Sequence, residues 1–138
     1  MKFTNRQFGE LEFDEQYVVA FPKGIIGFEQ CQQFVIIDDE DSEPFRWLVS
    51  IEDPSLSFPL LDPSLVLPGY DRQFALGEGK SVFVIASLQE QVERSTINLR
   101  SPLIIDNGTR QGQQMILDDD SLPFQFPLVP ASTPSQGR

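Results

Sequence analysis

Along most of this chain apolar residues recur at every second position, and no stretch of ten residues keeps a 3.6-residue period. A chain without an apolar helical stripe has to build its core from pleated strands. Leu11 and Phe13 alternate with Glu10 and Glu12, as in a strand with one wet face. Phe45, Trp47, Val49 and Ile51 share one side of a strand whose other side carries Arg46, Leu48 and Ser50. Ile97 and Leu99 alternate with Thr96, Asn98 and Arg100. Val82 to Ala86 is apolar without interruption, which predicts a central strand covered on both faces. Phe34 to Ile37 and Phe58 to Leu61 add two short strands. Asp53-Pro54, Asp62-Pro63 and Pro68-Gly69 are turn dipeptides between these runs, and Asp106-Asn107-Gly108-Thr109 is a hairpin turn. The one helical expectation is a turn or two within Gly27 to Gln33. The pattern therefore predicts an all-β fold, a small antiparallel β-barrel-like domain with at most one or two short helical turns.

At 138 residues the chain has room for one such domain. The stretch from Pro127 onward is rich in Pro, Ser and Gly, so the domain is expected at 1–128 with a disordered tail at 129–138. No apolar run approaches the roughly 18 residues of a membrane helix. Met1 to Arg6 lacks an apolar signal-peptide core, so a cytoplasmic protein with a reduced thiol is expected.

Charge narrows the function classes. The formal net charge is −11, which argues against nucleic acid or an anionic membrane as a direct ligand. The excess is uneven: residues 24–71 carry ten anions against one cation, Arg46. The densest run, Asp38-Asp39-Glu40-Asp41-Ser42-Glu43, falls on a loop between two strands. With no histidine and one cysteine, Cys31, the chain lacks the usual general base, an internal disulfide and a multi-cysteine metal site. Gly79-Lys80-Ser81 is not a phosphate loop: Phe74 stands where the first glycine belongs, and a strand follows instead of a helix. Asn107-Gly108-Thr109 matches a glycosylation sequon but is accounted for by the hairpin. Neither acidic cluster has the spacing of a calcium loop. Adjacent Glu52 and Asp53 point to opposite faces of an extended chain and cannot share one bond. Trp47 and Cys31 read as core residues. No catalytic residue, metal ligand or cofactor is expected.

Phe21-Pro22-Lys23-Gly24-Ile25-Ile26-Gly27-Phe28 resembles the FPxGxxGF signature of the FliW family of flagellar assembly factors. Six further pieces follow in the family's order. They are Phe8 to Leu11, Pro44 to Leu48, Glu52 to Pro54, Leu61 to Pro63, Asn98 to Ile105 and Thr109 to Gln114. Two segments depart: Asp71 to Lys80 looks shorter than the family's, and Leu122 to Pro127 lacks the basic and histidine residues often found there. The resemblance implies a small antiparallel barrel and a non-enzymatic cytoplasmic partner switch. Such a factor binds flagellin and, when free of it, binds the RNA-binding translational regulator CsrA and relieves repression of flagellin translation. On that reading Asp38, Asp39, Glu40, Asp41 and Glu43 are the expected charge source for the regulator. Ile25, Ile26 and Phe28 are either the apolar contact for flagellin or a plug in one end of the barrel. The rival readings are a generic acidic chaperone or nucleic-acid mimic, and an enzyme that uses carboxylates or a metal.

Overall fold

The computed structural model describes residues 2–5, 8–53, 55–70 and 79–128. The tail expected to be disordered and residues 71–78 of the shortened segment lie outside them.

Eleven strands lie among the described residues, six of them on the runs that the alternation picks out. They are β1 (Lys2–Asn5), β2 (Gly9–Glu12), β3 (Val18–Ala20), β4 (Gln33–Asp38), β5 (Arg46–Ser50), β6 (Ser57–Leu61), β7 (Lys80–Ser87), β8 (Thr96–Ile97), β9 (Leu103–Asp106), β10 (Gln111–Gln114) and β11 (Phe126–Pro127). Strands β3 to β7 form a meander, β9 and β10 a hairpin, and β9 returns to pair with β7. The result is a closed seven-stranded barrel, which leaves none of those strands as a free edge. Helical structure among the described residues is confined to three-residue 3-10 turns, such as Glu15–Tyr17 and Glu40–Ser42. Gly27 to Gln33, the expected helical turn, is instead a run of tight turns leading into β4. No helix among the described residues is long and apolar enough to cross a membrane.

One join is not antiparallel. Strand β10 meets β3 in parallel through Gln111 and Ala20, and the Ala20 N–H donates to the Arg110 carbonyl at 2.9 Å. The seam needs a residue without a side chain. A Cβ on Gly112 would lie 2.6 Å from the ring of Phe21, so the ring fills the space that only glycine leaves.

Period two assigns the two faces. Phe34, Leu48, Leu60, Phe83, Leu103 and Ile105 point into the barrel with Val19, Phe21, Ile25 and Cys31. Leu61, Val82, Val84, Ala86, Ile97 and Leu99 form a second core outside it, covered by Tyr70 and Leu122. That double coverage is why Val82 to Ala86 is apolar throughout. Tyr70 donates its hydroxyl to the Leu99 carbonyl, and burial pushes the phenol pKa up to about 12. Trp47 lies outside the barrel, half-buried, with the Phe8 ring edge-on at 5.9 Å. It is a covered surface residue, because the inner face of β5 belongs to Leu48.

Two strands differ in extent from the alternation. Strand β8 stops at Ile97 because the Asn98 carboxamide oxygen accepts the N–H groups of Arg100 and Ser101, turning the chain. Pairing also reaches into the start of the Pro-rich stretch. Pro127 of β11 pairs with Thr96 of β8, and the Leu128 N–H donates to the Ser95 carbonyl at 3.0 Å.

Two glycines separate a strained turn from a crowded one. Gly9 and Gly24 both have positive φ, 75° and 71°, but a Cβ on Gly24 would sit 2.5 Å from the Glu29 backbone, whereas Gly9 has open space. Gly24→Ala is expected to cost about 3 kcal/mol or more and Gly9→Ala about 1–2 kcal/mol. Urea unfolding followed by Trp47 fluorescence measures both.

Candidate functional site

The Phe21 to Phe28 segment leaves the parallel seam and folds back across one end of the barrel. Gly24 N–H donates to the Phe21 carbonyl at 2.8 Å, and Phe28 N–H to the Ile25 carbonyl at 2.7 Å. Ile25 and Phe28 form an isolated antiparallel bridge. Ile25 is 1% exposed in the barrel core, and the Phe28 ring meets Phe58 edge-on at 5.3 Å. These two residues plug the barrel end. Ile26 does not: it is 50% exposed, and its N–H donates to Gln114 Oε1 at 2.8 Å.

Ile26 has neighbours that the alternation did not single out. Ile116 and Phe124 are 65% and 49% exposed, and with Ile26 they line a groove of about 400 Å³ floored by Phe58 and Ile85. The Arg100 guanidinium lies 4.7 Å from the centre of the Phe124 ring, while its Nε–H donates to the Leu122 carbonyl at 2.6 Å. Three large apolar side chains thus stand exposed in one groove, whose walls also carry the polar Ser87, Thr96, Asn98 and Gln125. The sequence signal was weak, since Ile116 and Phe124 stand outside any strand.

The acidic run sits at the opposite end. Asp38 closes β4, and its carboxylate meets the Arg46 Nε at 2.9 Å across the β4–β5 pair. Arg46 in turn lies 5.7 Å from the centre of the Phe83 ring, over the mouth of the barrel. Asp39 is occupied locally, accepting the Asp41 N–H at 3.2 Å and the Ser42 hydroxyl at 2.9 Å. Glu40, Asp41 and Glu43 stand exposed around this turn. Of the five expected residues, three therefore project charge while two are spent on the fold.

The described anions of residues 24–71 do not share one face. Glu29, Glu52 and Asp53 belong to the plugged end, since β4, β5 and β6 are antiparallel neighbours. Glu29 accepts the Gly27 N–H, which holds its carboxyl below the usual value. Glu52 accepts the N–H groups of Gln32 and Gln33, and Asp53 accepts the Ser55 N–H and hydroxyl. Strand β4 has six residues, so the two ends lie about 17 Å apart, roughly two Debye lengths at physiological salt. They act as separate fields.

The family model for "FliW protein" matches residues 2–128. The flagellar assembly factor FliW of Caldanaerobacter subterraneus subsp. tengcongensis is 34% identical over 94% of this chain and 93% of its own. That of Thermosipho africanus is 34% identical over 93% of this chain and 95% of its own. A crystal structure of the flagellar assembly factor FliW superposes with a TM-score of 0.85 at 29% identity, covering 96% of this chain and all of that one.

The plug and the surface residue separate by substitution. Ile25→Ala is expected to cost about 3 kcal/mol of stability, and Ile26→Ala to stay within about 0.5 kcal/mol of the parent. Thermal or urea denaturation of the two variants checks this.

Proposed function

This chain belongs to the FliW family of flagellar assembly factors, and on that premise we propose that it works as a non-enzymatic cytoplasmic switch between two protein partners. Unexported flagellin occupies it; once flagellin has left, the freed factor takes up the translational regulator CsrA and relieves repression of flagellin translation. The observation that carries the reading is the placement of an exposed apolar groove and an exposed acidic turn at opposite ends of one closed barrel.

The two surfaces suit two chemistries. An mRNA-binding regulator presents cations for phosphate, and Glu40, Asp41 and Glu43 draw it in and leave a negative field beside its RNA site. That field repels RNA within about 8 Å at physiological salt without covering the site. Flagellin subunits awaiting export expose apolar faces of terminal segments, which suit the groove of Ile26, Ile116 and Phe124. Surfaces about 17 Å apart do not share residues, so exclusion comes from the bulk of a bound flagellin. A generic acidic chaperone or nucleic-acid mimic would instead use the charge alone and be displaced by RNA.

Co-purification with the tagged protein tests the switch. In cells blocked in flagellin export, flagellin should replace the regulator recovered from unblocked cells; equal recovery of the regulator in both would overturn the proposal.

The charge assignment has its own readout. The triple change Glu40→Gln, Asp41→Asn, Glu43→Gln spares the Asp39 turn and the Asp38–Arg46 pair. It is expected to slow regulator association about tenfold at low salt and to flatten its salt dependence, with flagellin binding unchanged. Ile26→Ala should do the reverse. Stopped-flow association rates at two ionic strengths decide.

A further inference from the structure

Gln114, the last residue of β10, ties two loops together at the plugged end of the barrel. Its carboxamide Oε1 accepts the Ile26 N–H at 2.8 Å, from a residue 88 positions away in sequence. Its Nε2 donates to the Ser101 carbonyl at 3.2 Å. Gln114 and Ser101 both line the groove that exposes Ile26, Ile116 and Phe124. The parallel seam explains the meeting. Because β3 and β10 run the same way from the Ala20–Gln111 pair, the chain beyond each heads for the same end of the barrel. Period two then fixes the side, since Gln114 follows the buried Gly112 on one face of β10.

The two isoleucines of the groove are held in different ways. Past β10 the chain stays bonded to residues 100–102, with the Met115 N–H on the Pro102 carbonyl at 2.9 Å and the Leu117 N–H on the Arg100 carbonyl at 2.8 Å. Gln114 and Ile116 face the groove from that run, whereas Met115 and Leu117 do not line it. Ile26 instead stands at the tip of a two-residue turn, closed by the Phe28 N–H on the Ile25 carbonyl. Gly27 follows it with φ at 91°, and a Cβ there would meet nothing within 4 Å. The closing bond sets the shape of the turn. Ile25 anchors its base in the core, and Gln114 anchors its tip. A primary amide suits both partners, because one needs an acceptor and the other a donor. Glutamate would set a carboxylate against the Ser101 carbonyl, and asparagine is one methylene shorter.

We propose that Gln114 is the positioning residue of this groove, a role that rests on the groove being the flagellin surface: it holds Ile26 beside Ile116 in the arrangement that the apolar partner meets. The surface is then formed before the partner arrives. A side chain fixed in advance removes part of the ordering entropy that binding would otherwise cost.

Two measurements separate positioning from a merely structural role. In the free protein, amide hydrogen exchange at Ile26, followed by NMR, is expected to be about tenfold faster in Gln114→Met. The amides of Leu48 and Val84, buried in the barrel wall, should keep their parental rates. Binding is read as a double-mutant cycle against monomeric flagellin by calorimetry. Gln114→Met should weaken binding about fivefold in the parent and not at all in an Ile26→Ala background, because it acts through Ile26. Should Gln114→Met fail to fold, Gln114→Ala removes the same two hydrogen bonds without adding an apolar chain, and both results are expected of it. Unchanged exchange at Ile26, or an equal loss of affinity in both backgrounds, would overturn the proposal. Parental affinity in the folded Gln114 variant would do the same when Ile26→Ala weakens binding. If Ile26→Ala binds flagellin as the parent does, the partner reading of the groove has failed, and exchange at Ile26 alone decides whether Gln114 holds the turn.

Discussion

The barrel depends on the contact between Phe21 and Gly112. Every other join among the seven strands is an antiparallel ladder that a meander or a hairpin makes from local sequence, or that β9 makes in returning to β7. The join of β3 to β10 is different: it is parallel, rests on one residue pair, and brings together segments about ninety positions apart. Backbone hydrogen bonding there is sparse, so the seam is held by packing, with a phenylalanine ring set against a backbone that has no side chain. The chain leaves this seam directly into the turns at Gly24 and Gly27, and that departure delivers Ile25 and Phe28 to the open end of the barrel. One close approach thus closes the barrel, and the turns that follow it seal one end and bring Ile26 to the surface.

The acidic composition is put to two uses. Asp39, Asp53, Asp62, Asp106 and Asp119 each accept a backbone N–H two residues on, and four of them also take a nearby serine hydroxyl. These carboxylates fix turns in a fold made mostly of turns and short strands. The Thr109 and Gly108 N–H groups hold the Asp106 carboxyl below its usual pKa, and the Ser121 hydroxyl does the same for Asp119. Glu40, Asp41 and Glu43 remain as outward charge. A negative total therefore overstates the field a partner meets, because much of it is directed at the protein's own backbone.

Strands β2 and β4 to β8, the hairpin at Asp106 to Thr109 and the double coverage of Val82 to Ala86 were legible because each rests on neighbours in sequence. The residues of the FPxGxxGF segment were also legible as a unit, but their division of labour was not. Ile25 and Ile26 are chemically identical and adjacent, and only the bridge between Ile25 and Phe28 decides which side chain enters the core. Trp47 shows the same limit. Alternation places it opposite Leu48, yet cannot say which face is the interior of a closed sheet when the hairpin carrying Phe8 covers the other.

By itself, then, the sequence determined an all-β chain with short strands, acid-capped turns and no histidine chemistry, since period, turn type and composition are local properties. Tertiary structure decided the rest. Antiparallel pairing sends the ends of successive strands to opposite poles, so the described anions of residues 24–71, close together in sequence, are divided between two ends of the barrel. The same closure gathers Ile26, Ile116 and Phe124 into one groove and brings Gln114 to Ile26, 88 positions away in sequence. Proximity of that kind arises from strand order and shear, which no local pattern encodes.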